Sequence, residues 1–231
     1  MKRILLFAAL LFTISTTCFA QELLTRTRRL TPSVTEKYRY TIGTDREIKQ
    51  GLYQAFYNKK IPIASGKYVD DKKAGLWHFF NRQGQIIENY NYDTNTLQSE
   101  TAEDSTSSLH YAFDATVKET DRLTKPIRPG GRYFGYIPYL TSVKLPKDIN
   151  SEDISSYAVV LEILVSPGGR LADFKVHLSS PWETDRIINV NINRLNEEDK
   201  TFVPATLNYE PISSRVAIQC VIIPQLTLEM R

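Results

Sequence analysis

The chain is poor in the residues on which metal, redox and nucleophilic chemistry draws: two cysteines and three histidines stand among its 231 residues. Cys18 lies in an N-terminal segment of the kind removed on export, so Cys220 would remain alone and no intramolecular disulfide could form in the processed protein. His78, His110 and His177 lie far apart, without the i, i+4 or Cys-x-x-Cys spacing that zinc sites use. No metal or other cofactor is expected. Charge of one sign is also scarce. Removing Lys2 and Arg3 from 29 basic residues leaves 27 against 26 acidic ones, a net charge of +1, which does not point to nucleic acid as a partner. The apolar run Ile4 to Thr13 falls well short of the roughly 20 residues a membrane-spanning helix needs, and no later run is longer.

Catalytic patterns are missing too. His177 and Ser179 share a predicted strand face, but no Gly-x-Ser-x-Gly elbow accompanies them. Glu103-Asp104 and Glu197-Glu198-Asp199 sit in polar segments where carboxylates stay hydrated. Gly130-Gly131-Arg132 and Gly168-Gly169-Arg170 precede no helix that would offer its N-terminus to an anion. The expectation is a protein that is not an enzyme.

What is present begins with Lys2-Arg3, the apolar run and Cys18-Phe19-Ala20, the layout of a secretory signal over residues 1–20 with cleavage after Ala20. The processed protein is expected to be soluble and periplasmic. Ser15-Thr16-Thr17 before Cys18 does not make the aliphatic box that lipid attachment prefers. In the following segment, residues 21–45, Arg26, Arg28 and Arg29 read as a solvated, mobile basic tail.

Residues 46–97 carry a repeat. Gly51-Leu52-Tyr53-Gln54-Ala55-Phe56 aligns with Gly75-Leu76-Trp77-His78-Phe79-Phe80 at a period of 24, and the match continues at Ile63/Ile87 and Tyr68/Tyr92. Turn-forming residues at 58–60 and 81–84 divide each copy into a β-hairpin. Gly51 and Gly75 supply positive φ or close approach, and Tyr53, Phe56, Trp77 and Phe80 are the expected buried rings. This aromatic pattern resembles the variant MORN repeat over about residues 46–95, a resemblance that implies binding or scaffolding and brings no catalytic residues. The rings also admit a glycan platform.

Residues 98–129 read as a polar linker with one strand at 109–117, where Leu109, Tyr111, Phe113, Ala115 and Val117 alternate with polar or small residues and extend the repeat sheet. In the last unit, residues 130–231, two antiparallel strands flank the turn Ser166-Pro167-Gly168-Gly169. Ser180-Pro181-Trp182-Glu183 then predicts a helix start, with Ile188, Ile192 and Leu195 facing the sheet. A third strand runs from Arg215 to Ile223, giving the order β-β-α-β.

Gly168-Gly169, Ser179-Ser180 with Asp185, Phe202-x-Pro204-Ala205 and a last strand ending at Pro224 together resemble the TonB C-terminal domain over about residues 130–226, with Pro129-Gly130-Gly131 and Leu145-Pro146 as upstream matches. Phe202 replaces the family's usual tryptophan, and the long proline-rich segment of true transducers is missing. The resemblance implies that an exposed sheet edge binds an extended segment of an envelope or outer-membrane protein. On that reading the last strand is the edge, and Arg215, Val216, Ala217, Ile218, Gln219, Val221 and Ile223 are the candidate partner-binding residues. The expected whole is mainly β within an α+β class: a hairpin-repeat sheet followed by a TonB-like domain, acting as a periplasmic protein-binding adaptor. TonB-type energy transduction is the alternative if residues 1–20 are retained as an anchor, and a glycan-binding or glycan-acting envelope protein is a further one.

Overall fold

A computed structural model describes residues 22–105, 107–149 and 154–231. The expected signal segment lies outside the described residues. Among those described, no helix is long and apolar enough to cross a membrane. The protein is mostly β, 54% strand against 9% helix, and its sheets are antiparallel.

The first sheet is a seven-stranded meander in sequential order: β1 (Leu24–Arg29), β2 (Val34–Ile42), β3 (Glu47–Tyr57), β4 (Ile61–Val69), β5 (Lys72–Phe80), β6 (Ile86–Asn91) and β7 (Thr96–Glu100). The 24-residue offset maps the β3–β4 hairpin onto β5–β6, and Gly51 and Gly75 take φ of +85° and +65°. The basic segment expected as a mobile tail is instead the edge strand β1. Its register sets Arg26 opposite Tyr38 and Arg28 opposite Glu36, and ion pairs to Glu47 and Glu36 hold these arginines along the sheet.

Strand alternation sends Tyr53 and Ala55 of β3 and Trp77 and Phe79 of β5 to one face, where all are buried. Phe56 and Phe80, expected there, fall on the opposite parity and are half-buried. The Trp77 indole donates to the Lys67 carbonyl at 3.1 Å and crosses Gly66 so closely that a Cβ at that position would lie 2.1 Å from the ring. Of the four rings expected inside, Tyr53 and Trp77 are buried.

The second sheet has the order β12–β11–β10–β15–β16, built from β10 (Ala158–Val165), β11 (Leu171–Ser180), β12 (Glu183–Asn189), β15 (Ser214–Ile223) and β16 (Thr227–Met230). Strand β8 (Leu109–Phe113) pairs with β15, so the alternating segment expected to extend the repeat sheet joins this one. A small third sheet holds β9 (Leu123–Thr124), β13 (Ala205–Leu207) and β14 (Glu210–Ile212). The predicted helix after Ser180 is not formed: Pro181-Trp182 make the turn of a hairpin and β12 returns along β11. Thr184, Ile187 and Ile188 are β-branched, and Ile188, Val190 and Ile192 alternate at period two, packing against the core. The β-β-α-β order is therefore not realised. The only α-helix among the described residues, α1 (Ile137–Ser142), precedes β10, and Pro138 stands in its first turn.

The segment from Arg128 to Leu140 wedges between the two large sheets. Phe134 stacks on Phe79 with ring centroids 6.0 Å apart, Tyr133 meets Tyr57 edge-on at 5.7 Å, and Tyr139 meets Phe174 of β11 at 5.4 Å. One continuous buried cluster results, running from Val34 through Trp77 and Tyr139 to Met230. At roughly 25 cal/mol per Å² of apolar surface removed from water, this shared core couples the two sheets energetically.

Candidate functional site

The predicted partner-binding residues Arg215, Val216, Ala217, Ile218, Gln219, Val221 and Ile223 all lie on β15, but β15 is not an edge. On one side it pairs with β10 from Ser214 to Cys220. On the other, β8 covers Ser214 to Ile218 and β16 covers Cys220 to Ile223. Between these two strands the Gln219 N–H donates to the Ser108 carbonyl at 2.9 Å. Leu109, Leu228 and Met230 are buried, so the covering strands complete the core instead of resting loosely on its rim. Val216 and Ile218 are fully buried, and Arg215 is tied to Asp114. The alternation at Leu109–Phe113 carried this information in sequence; the four residues of β16 are too few to carry any.

The opposite margin of the same sheet is open. β12 pairs with β11 alone among the described strands. The Val190 N–H donates inward to the Phe174 carbonyl at 2.9 Å. By the alternation of antiparallel pairing, Ile188 and Arg186 also direct their main chain toward β11, while Ile187 and Asn189 direct theirs outward. Ile187 lies opposite His177 on the solvated face and is 60% exposed, and Trp182 in the preceding turn is 81% exposed, the largest exposure among the described bulky apolar residues. An unpaired strand bearing exposed apolar side chains is a template for another strand. The outer margin of the first sheet differs in kind: β1 carries Arg26, Arg28 and Arg29, the charged dressing that discourages strand addition.

A second feature lies where the wedge meets the first sheet. A cavity of about 300 Å³ is lined by residues that include Arg28, Glu36, Lys49, Lys73, Arg128, Glu198 and Asp199, with Tyr53, Tyr68, Phe134 and Ile137 among its walls. Glu36, buried on β2, accepts from Arg28 Nε at 2.7 Å and Lys49 Nζ at 3.2 Å. The Lys49 ammonium sits over three rings, 4.6 Å from Tyr38, 5.1 Å from Tyr53 and 5.0 Å from Tyr68. Lys73 pairs with Glu198 at 2.8 Å, and burial holds its ammonium below the usual lysine range although Glu198 works in the other direction. Arg128 donates to Asp199 at 2.8 Å and to the Thr201 carbonyl at 3.1 Å, with both side chains of the ion pair almost wholly buried.

The histidines remain apart. His78 bonds Asn89 at 2.6 Å on the first sheet, His110 lies exposed on β8, and His177 faces Glu162 across β10 and β11 at 3.3 Å. Cys220 is buried, and burial pushes its thiol up to about 12, which keeps it protonated and unreactive. Comparison with protein-family models, with curated proteins and with solved structures finds no match.

Proposed function

We propose that the protein is an exported, non-enzymatic adaptor of the cell envelope, in which a MORN-like repeat sheet buttresses a TonB-like sheet that binds an extended segment of an envelope protein by strand addition. The observation that carries this reading is the open β12 edge, with outward main-chain groups at Ile187 and Asn189 and exposed apolar side chains at Ile187 and Trp182. It moves the edge expected at β15 to the other margin of the same sheet. Main-chain hydrogen bonds would supply affinity, and the Ile187 and Trp182 side chains the selectivity.

Proline at position 187 tests it. The outward N–H of Ile187 takes no part in the β11 ladder, so proline is compatible with the folded edge while removing a donor that an added strand requires. Full-length processed protein and its Ile187→Pro variant serve as baits for detergent-solubilised envelopes of the source cell. The expected result is an envelope protein retained by the wild type and lost with the variant, whose unfolding free energy in urea stays within about 0.5 kcal/mol of wild type. Equal capture by both baits, or capture by neither, would overturn the proposal.

A further inference from the structure

We infer that the cavity between the wedge and the first sheet is a binding site for a small monoanion, a carboxylate attached to an apolar or aromatic body. The cavity has the scale of small-ligand sites, and its walls join rings and aliphatic side chains to a few converging charged groups. Three observations fix the class of ligand.

The first is an orphaned donor. Arg128 is only 5% exposed, and its Nε has no hydrogen-bond partner among the described residues, although the two terminal nitrogens of the same guanidinium are used. A buried N–H without an acceptor is costly, and an oxyanion seated in the cavity would satisfy it once the guanidinium turned toward it. The second is charge. The lining holds four cations, Arg28, Lys49, Lys73 and Arg128, against three carboxylates, Glu36, Glu198 and Asp199. The surplus of one positive charge matches a monoanion; a phosphate dianion would overshoot it. The third is the apolar part of the lining, where Phe134 and Ile137 join Tyr53 and Tyr68, the rings beneath the Lys49 ammonium, and offer surface to the rest of the ligand. Thr141, exposed on α1, stands at the margin of the opening.

Benzoate, benzyl alcohol and inorganic phosphate are the probes, titrated into the full processed chain and followed by calorimetry and by amide chemical shifts. Benzoate is expected to bind in the millimolar range or tighter, and benzyl alcohol about tenfold or more weakly, the scale of one charge-assisted hydrogen bond. Thr141→Trp, which fills the opening without touching an ion pair, is expected to lower benzoate affinity by about tenfold or more. Arg128→Lys keeps the charge beside Asp199 but removes the Nε donor, and is expected to do the same. Phosphate binding more tightly than benzoate, benzyl alcohol binding equally well, no binding of benzoate at millimolar concentration, or unchanged affinity in Thr141→Trp would each overturn the inference.

Discussion

Glu88 ties the first sheet to the wedge, and its burial is expected to make stability depend on pH. It lies on β6, only 2% exposed, and accepts the Gly130 N–H at 2.9 Å from the wedge. Burial pushes its carboxyl up from 4.5 to about 7; the Gly130 and Gly131 amides and the more distant Arg128 act against that rise, and Glu100 adds to it. In the unfolded chain the carboxyl titrates near its ordinary value. Between that value and about 7 only the folded state holds the proton, so stability is fully present below about pH 4.5 and is lost as pH rises through about 7. The difference of about two and a half pH units is worth about 3 kcal/mol, most of it spent between about pH 5 and about pH 8. Urea unfolding of the wild type and of Glu88→Gln across that range reads the effect directly. Glutamine keeps an acceptor for the Gly130 amide but cannot ionise, so the variant should lack this part of the pH dependence, and its stability relative to wild type should rise with pH by about 2–3 kcal/mol. Parallel pH profiles for the two proteins would refute the reasoning.

Two substitutions test the packing around the wedge. Asp199→Ala strands the buried Arg128 guanidinium and should cost about 3–5 kcal/mol in urea unfolding, whereas Arg128→Met combined with Asp199→Leu should recover much of that loss. Gly66→Ala should cost about 1–3 kcal/mol, because its Cβ would lie 2.1 Å from the Trp77 ring and force the indole off its bond to Lys67; calorimetric melting measures it.

The hairpins of the first sheet were legible because the 24-residue repeat states the same pattern twice, with Gly51 and Gly75 both at positive φ. The strands around Gly168-Gly169 and the last long strand were legible from alternation alone. The segment after Ser180 is ambiguous in sequence because Ser-Pro-x-Glu serves equally as a helix start and as a tight turn, and the i, i+4, i+7 spacing of Ile188, Ile192 and Leu195 passes over Val190. Tertiary pairing along β11 decided between the two. The basic segment at Arg26–Arg29 had too little apolar character to announce a strand, and only its cross-strand partners Glu36 and Glu47 explain its order.

The candidate sites were less visible than the fold. Alternation marks the β15 residues as a strand without showing that it is an inner one, because β8, which covers Arg215 to Ile218, lies some hundred residues earlier in the chain, and a sequence pattern names a strand without naming its neighbour. The cavity depends on pairs such as Lys73–Glu198 and Arg128–Asp199, separated by 125 and 71 residues. In sequence Glu197-Glu198-Asp199 reads as a hydrated acidic run; in the fold Asp199 is 6% exposed and bonded to a buried arginine.

The central claim, that β12 and not β15 is the docking edge, is tested most directly by a photo-crosslinking residue placed at position 187 in one variant and at position 219 in another, with irradiation in the source cell. The account predicts an adduct with an envelope protein from position 187 and none from position 219. An adduct from position 219 alone would mean that β8 or β16 leaves β15 in the cell, and would contradict it.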